Sequence, residues 1–321
     1  MKHSPSFSRC SVRFVSLLFV LLSTHQVNIA ITRTNDVRFA KGASAVAIPL
    51  VFSDKGHMFV RVRVNNSGPQ LFGLDSGFEQ TAVTTKLAQA LNLKVFGASK
   101  ASGVGELEDD IAFVRNVKFD LPGVSFQLRE IGVLALDFPS PISGEPIAGI
   151  LGYDFISRFV VRINYVDKVM DLHGPRTYRY RGSGEVVPVR MIDNYPSIQA
   201  TITFPGLTPI RAFFGIDTGA ESGIFLNSPF VKKHRLLDSK LETSEASMLG
   251  IGGTSKIRIG RATSIRLGRT LIANPVVHFS LATRGEGASS LSVGQISNET
   301  FRHFKVLIFD QTRRRLILEP R

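Results

Sequence analysis

Two stretches of the chain, "FGLDSGFE" (Phe72–Glu79) and "FGIDTGAE" (Phe214–Glu221), repeat each other almost residue for residue. Five of the eight positions are identical, two exchange similar residues, and only Phe78 and Ala220 differ in kind. A single Asp-Ser-Gly is ordinary turn chemistry, because Gly supplies positive φ and Asp can bond its own backbone. A turn has no reason to recur with its distant context, so the repeat indicates an internal duplication.

The surroundings of the two stretches are repeated as well. Ile150-Leu151-Gly152 follows the first stretch and Ser292-Val293-Gly294 follows the second, and the interval from Asp to the last Gly is 77 residues in both halves. After each triplet the pattern predicts a short helix, a strand, a turn and a final strand. Upstream, each half opens with two strand-like segments. We therefore expect two homologous lobes in one chain.

The predicted division of the chain has five parts. They are a signal peptide (1–30), a lead-in (31–42), a first lobe (43–178), a Gly- and Arg-rich connector (179–185) and a second lobe (186–321).

Strand patterns dominate both lobes. Segments such as "HMFVRVRV" alternate between apolar and polar residues, which is the period that places one face of a strand in a core. Helix is predicted only at 84–93, at its counterpart 228–237, and in short pieces after Gly152 and Gly294. The predicted fold class is all-β.

The N-terminus is typical of a secretory signal peptide. Lys2, Arg9 and Arg13 are basic and lead into an apolar run at 14–22, which is far shorter than the ~20 residues that span a membrane. Cys10 lies inside this segment, so the mature chain would contain no cysteine, which excludes disulfides and thiol catalysis. We expect an exported protein, periplasmic or extracellular, with no membrane span after processing.

The net charge of +13 does not by itself indicate a nucleic-acid partner. Basic residues are scattered over both halves, with one cluster at 313–315, and they lack the motif or aromatic support that nucleic-acid binding requires. The sequence also contains no His-Glu-x-x-His, no Gly-x-Ser-x-Gly and no phosphate-binding loop. We expect no metal and no cofactor.

A pair of aspartates related by a duplication suggests a specific chemistry. If an approximate two-fold axis passes near the repeated loops, Asp75 and Asp217 face each other, cannot both ionise, and share one proton. One carboxylate then acts as general base toward water while the protonated one hydrogen-bonds a substrate carbonyl. The neighbouring residues would support this pair, the hydroxyls by bridging the loops and the glycines by admitting backbone N–H groups: Ser76, Gly77, Thr218, Gly219.

These motifs resemble those of the aspartic peptidases, in the bacterial branch that is similar to retropepsins joined in tandem. The resemblance covers residues 43–321 and implies two acid-protease lobes, closed and barrel-like, with an active-site cleft between them. It implies that Asp75 and Asp217 are catalytic, that the substrate is a peptide or protein, and that one chain suffices as a monomer. It also implies flaps over the cleft, with these candidates: Gly103, Val104, Gly105, Gly250, Ile251, Gly252, Gly253.

Three departures from the family pattern leave an alternative open. Phe78 stands where a small residue is usual, Ser292 replaces an apolar residue, and the first flap has no Tyr. The alternative is a catalytically weakened or inactive protein of this fold that binds peptides or proteins. The acidic run 106–110 is interpreted as a solvated loop, and less readily as a flap feature that attracts basic side chains.

Overall fold

The protein is described by a computed structural model. It describes residues 36–54, 56–136, 142, 144–192, 195–220, 222–238 and 241–321, and the predicted signal peptide lies outside them. The described chain is mostly β, with 54% strand and 9% helix. Contacts within Asn35–Arg321 make one compact unit.

Most strands of the first half have a counterpart in the second. In the first half they are β1 (Val37–Phe39), β2 (Ser44–Phe52), β3 (Met58–Val64), β4 (Gln70–Leu74), β5 (Ala82–Thr84), β6 (Phe96–Ser102), β7 (Glu108–Leu121), β8 (Val124–Leu134), β9 (Ile147–Leu151), β10 (Val160–Asn164) and β11 (Val169–His173). In the second half they are β12 (Glu185–Ile192), β13 (Tyr195–Thr203), β14 (Ile210–Asp217), β15 (Ile224–Leu226), β16 (Ser244–Gly250), β17 (Gly253–Arg261), β18 (Ser264–Leu267), β19 (Thr270–Ala273), β20 (Val276–Ser280), β21 (Gly294–Ser297), β22 (Phe304–Asp310) and β23 (Arg315–Pro320).

Helices are short and occupy matching places in the two halves. They are α1 (Thr85–Ala90), α2 (Tyr153–Ile156), α3 (Ser228–Lys233) and α4 (Asn298–Phe301), with 3-10 turns at Glu286–Ala288 and Gln311–Arg313. The first begins where the Thr84 hydroxyl accepts a hydrogen bond from the Leu87 N–H, as an N-cap residue does.

The first half closes into a six-stranded barrel. Its ring runs β3–β4–β9–β5–β8–β7 and returns from β7 to β3. The β4–β9 and β5–β8 pairs are parallel and the other pairs are antiparallel. Alternation places Val60 and Val62 inside while Arg61 and Arg63 point to solvent. Closure leaves the ring without a free edge.

The second half repeats this ring as β13–β14–β21–β15–β20–β17. Where the first barrel uses the single long strand β7, the second uses β17 and β18, which are separated by two residues, and β18 returns to β13. The all-β fold with two barrel-like lobes is confirmed. The boundaries proposed for the lobes and the connector stay a prediction.

A six-stranded antiparallel sheet joins the two barrels. Its order is β2–β11–β10–β22–β23–β12, so the halves meet at the central pair β10 and β22. In that pair Val160 lies opposite Asp310 and Ile163 opposite Leu307. Both barrels are thereby anchored to one platform, which fixes how their loops face each other.

The register of the sheets corrects one equivalence predicted from the sequence. Helix α2 begins directly after Gly152, and α4 begins directly after Ser297. In the preceding strands, Leu151 and Ile296 lie opposite the residues that come immediately before the two repeated aspartates. Ser297, not Gly294, is therefore the counterpart of Gly152. The prediction of equal 77-residue intervals to equivalent glycines is wrong, because the second half is three residues longer here.

Gly294 has a different role from the one predicted. It starts β21 and pairs with Leu226 of β15, at a φ of 132° that few L-residues adopt. A Cβ atom there would lie 1.9 Å from the Phe225 carbonyl oxygen, so only Gly fits. The corrected register also places Gln295 where the first barrel has Ile150.

Candidate active site

Asp75 and Asp217 lie side by side between the barrels. Asp75 directly follows β4 and Asp217 is the last residue of β14, so both leave equivalent strands of the two barrels. Their carboxyl groups hydrogen-bond to each other. Each Oδ1 also accepts a backbone hydrogen bond two residues on, from Gly77 N–H to Asp75 and from Gly219 N–H to Asp217, both at 2.8 Å.

Each glycine of the repeat packs against the opposite carboxyl group. A Cβ atom on Gly219 would lie 2.1 Å from Asp75 Cγ, and one on Gly77 would lie 3.0 Å from Asp217 Cγ. Real Cβ atoms essentially never come closer than 3.0 Å to other atoms, so Gly219 is required, while a Cβ atom on Gly77 would be a tight contact. The approach is this close because the loops cross tightly enough to bring the carboxyl groups together.

The two hydroxyls of the repeat clamp the loops to each other. Thr218 Oγ1 accepts from the Ser76 N–H at 3.0 Å and donates to the Leu74 carbonyl at 2.9 Å. Ser76 Oγ accepts from the Thr218 N–H at 3.1 Å and donates to the Ile216 carbonyl at 2.7 Å. Both side chains are buried. Four reciprocal hydrogen bonds therefore hold the strand ends that carry the aspartates.

Burial dominates the electrostatics of the pair. Removal from water raises the pKa of Asp75 well above its usual range, and repulsion from Asp217 raises it further. The pKa of Asp217 is also raised by burial, but the Gly219 N–H and the hydrogen bond from Asp75 oppose that rise. The pair titrates jointly, and these contacts favour charge on Asp217 over charge on Asp75.

Hydrogen bonding around the pair is not symmetric. Phe78 N–H lowers the pKa of Asp75, and the equivalent Ala220 N–H donates to Asp217 Oδ1 at 3.1 Å. Asp217 alone receives a further side-chain bond, from Gln295 Nε2 to Oδ2. Sequence reasoning missed Gln295 because it matched the halves on Gly294. Matching the two halves on the short helix that follows each strand would have shown that Gln295 is equivalent to Ile150.

His57 and Tyr195 flank the pair from equivalent positions. In the first barrel, His57 lies two residues before Phe59, which is opposite Gly73 of Gly-x-Asp. In the second, Tyr195 lies two residues before Ser197, which is opposite Gly215 of Gly-x-Asp. Positive charge on His57 lowers the pKa of Asp217. Burial, and then nearby carboxylates that include both aspartates, raises the pKa of Tyr195. Neither residue belongs to a motif, so the sequence carried no signal for them.

The predicted flap residues lie at the tips of two hairpins that meet. The tip between β6 and β7 contributes Gly103, Val104 and Gly105, and the tip between β16 and β17 contributes residues 250–253. Gly105 N–H donates to the Ile251 carbonyl at 3.0 Å. A Cβ atom on Gly105 would lie 2.1 Å from the backbone carbon of Gly252, so the tips touch through glycine backbone.

Asp109 adds a side-chain link between the hairpins. Its Oδ2 accepts from the Gly252 N–H at 2.9 Å, and the Leu107 N–H donates to the Gly252 carbonyl at 2.9 Å. The acidic run therefore supplies a bond between the two tips. Its neighbour Asp110 is exposed and pairs with Lys100 on the adjacent strand, as a solvated residue does.

A cavity of about 880 Å³ lies between the paired aspartates and the hairpin tips. Its lining is largely apolar and includes Phe78, Ile150 and Val104. Phe78 is half-buried and packs against an apolar cluster: Ala82, Ile111, Leu134, Leu136. The bulky ring thus lines one wall, and its backbone N–H still reaches Asp75. Among the described residues, no three His, Cys, Asp or Glu side chains are grouped to hold a metal ion.

Comparison with known proteins supports the resemblance found in the sequence. Residues 60–155 match the family model for aspartyl proteases, a range that runs from β3 to α2 and contains Asp75. This match supports an aspartic peptidase family for the chain. The predicted resemblance to this family is confirmed, while the roles of the individual site residues stay predictions. No curated protein matches the sequence.

Solved structures of similar fold include that of the aspartic proteinase from Irpex lacteus. It is 13% identical, and the alignment covers 87% of this chain and 97% of that one, with a TM-score of 0.52. The chain therefore has an acid-protease-like fold. Basic 7S globulin from soybean aligns at 8% identity over 86% of this chain and 95% of its own, with a TM-score of 0.48.

Proposed function

We propose that this protein is an aspartic endopeptidase that hydrolyses peptide bonds with water activated by Asp75 and Asp217. The observation that carries the proposal is the hydrogen-bonded carboxyl pair at the floor of an apolar cavity. One proton shared by two buried carboxyl groups supplies a base and an acid at the same place. The closed hairpin tips would exclude water while a peptide is held.

The hydrolysis begins when a peptide lies across the pair. The carboxylate takes a proton from water as the water oxygen bonds the carbonyl carbon, and the protonated carboxyl gives its proton to the carbonyl oxygen. A neutral gem-diol results, with the two carboxyl groups exchanged in protonation. The newly protonated carboxyl then gives its proton to the amide nitrogen while the other carboxylate takes a proton from a gem-diol hydroxyl. The C–N bond breaks, the acid and amine products form, and the pair again shares one proton. Apolar lining of the cavity favours substrates with apolar side chains near the scissile bond.

Peptide cleavage across pH by the mature protein tests the proposal. Asp75→Asn and Asp217→Asn should each abolish cleavage, while Asp238→Asn, at an exposed aspartate, should leave the rate unchanged. Circular dichroism of all three variants should match the wild-type protein. Cleavage retained by either dyad variant would refute the assignment. A wild-type protein that binds peptides without cleaving them would instead favour the inactive binding protein.

The location and the working form of the protein are part of the proposal. The basic and apolar pattern of residues 1–30 supports export, and none of the helices that the structure describes is long and apolar enough to cross a membrane. Cell fractionation and N-terminal sequencing would test export. Both aspartates come from one chain, which supports action as a monomer. Light scattering on the active protein would test that.

A further inference from the structure

Gln295 makes the surroundings of the two aspartates chemically different. Its side-chain amide donates to Asp217 Oδ2, while the other oxygen of Asp217 accepts from the N–H groups of Gly219 and Ala220. Three N–H donors from the second barrel thus converge on one carboxylate. An N–H group can only donate, so each contact favours the charged form of Asp217.

The equivalent position in the first barrel holds no donor. Ile150 lies opposite Gly73 as Gln295 lies opposite Gly215, so the two side chains occupy matching places beside Asp75 and Asp217. Ile150 packs against an apolar cluster. Its hydrocarbon side chain cannot stabilise a carboxylate, so the surroundings of the two aspartates differ at this position.

We propose that Gln295 is a positioning residue that holds Asp217 as the carboxylate and leaves the shared proton on Asp75. The inference rests on the proposed function and deepens it, because it assigns the two roles. Asp217 would take the proton from water, and Asp75 would give its proton to the carbonyl oxygen of the substrate. The duplicated sequence motif does not distinguish these roles, since both halves carry Asp-(Ser/Thr)-Gly.

Other titratable groups also surround Asp217, and each comes from a different element. Asp75 follows β4, His57 precedes β3, and Tyr195 begins β13. A positive charge on His57 favours the same form of Asp217 that Gln295 favours, so its contribution has to be separated. Besides burial, the charges of Glu79 and Glu286, together with those of the pair, raise the pKa of Tyr195.

Titration of the carboxyl groups tests the inference without reference to activity. Aspartate carboxyl carbons, labelled with ¹³C, are followed by NMR in the wild-type protein and in Gln295→Met, which keeps the side-chain length and removes the donor. The lower apparent pKa of the pair should rise by about one unit, the size of effect that one hydrogen bond to a carboxylate has. The upper one should change little, because the bond is present both before and after that proton leaves.

Single-aspartate backgrounds identify which carboxyl group senses the amide. In Asp75→Asn, adding Gln295→Met should raise the pKa of Asp217 by about the same unit. In Asp217→Asn, the addition should leave the pKa of Asp75 unchanged. Gln199→Met is the matched control, because Gln199 lies on β13 and bonds Arg211. His57→Gln measures the separate influence of the imidazole. Equal shifts in both backgrounds, or no shift in either, would overturn the inference.

The kinetic readout follows from the same change. The acid limb of the pH profile of peptide cleavage should move to higher pH by the same amount in Gln295→Met, and KM at the plateau should stay close to the wild-type value. If Gln295→Met does not fold, Gln295→Leu replaces it. If the titration shifts as expected but the wild-type protein cleaves no peptide, the proposed function fails while the placement of the proton stands.

Discussion

Replacing Thr218 by Val tests whether the reciprocal hydroxyl bonds hold the two loops together. Valine keeps the shape of threonine but removes the hydroxyl, so the Ser76 N–H and the Leu74 carbonyl both lose their partner. Thr218 is 0% exposed and Ser76 is 1% exposed, so water cannot replace the lost bonds. Each unsatisfied buried group costs about 1–3 kcal/mol, so the two groups together predict a loss of about 2–6 kcal/mol in the free energy of unfolding.

The matched control is Thr218→Ser. It keeps both hydrogen bonds and removes one buried methyl group, which costs about 0.8 kcal/mol. Urea unfolding of the mature protein, followed by fluorescence and circular dichroism together, measures the difference between the two variants. A valine variant within about 1 kcal/mol of the serine variant would refute the reasoning, because unsatisfied groups at 0–1% exposure would then have found other partners.

Three further predictions concern the pair, the hairpin tips and the cavity wall. Burial raises the folded-state pKa of Asp217 above its ordinary 3.8, so the carboxyl contributes stability that is present below pH 3.8 and is lost as the pH rises through the folded-state pKa. Asp217→Asn should therefore unfold at a higher temperature than the wild-type protein at neutral pH. The difference between the two unfolding temperatures should disappear at pH 3. Asp109→Ala should reduce the protection of the Gly252 amide against hydrogen exchange about tenfold, since the amide loses a charge-assisted hydrogen bond. Unchanged protection would show that the contact between the hairpin tips does not depend on Asp109. Phe78→Ala should destabilise the protein by about 1–2 kcal/mol, because a half-buried ring leaves its apolar cluster. The cleavage rate should not rise. A faster variant would mean that the ring narrows an active cleft.

The repeated motif accounts for where the structure places the aspartates and hydroxyls that the sequence named. Asp75 and Asp217 meet, and Ser76 and Thr218 bond across the interface, because a duplication places equal residues at equal places around an approximate two-fold axis. The register after β9 and β21 was predicted wrongly. An identical interval to a glycine looked like equivalence, but strand pairing, which is not encoded in spacing, assigns Ser297 to Gly152.

Residues outside the motif entered the site only through closure of the barrels. Three such residues are far apart along the chain and come from different elements: Gln295 from β21, Tyr195 from β13, and His57 from the segment before β3. Asp109 was interpreted as part of a solvated acidic run, yet its side chain accepts a bond from the opposite hairpin. Contacts of this kind depend on which strand lies beside which, and a local pattern does not carry that information.

By itself, the sequence determined that the chain is all-β, that it is duplicated, and that two Asp-(Ser/Thr)-Gly loops belong together. Those properties follow from strand periodicity and from repetition, both of which are readable along the chain. Only the tertiary structure decided that the two halves of the pair are unequal. The reason is that one barrel places an amide, and the other a hydrocarbon side chain, at the same position beside its aspartate.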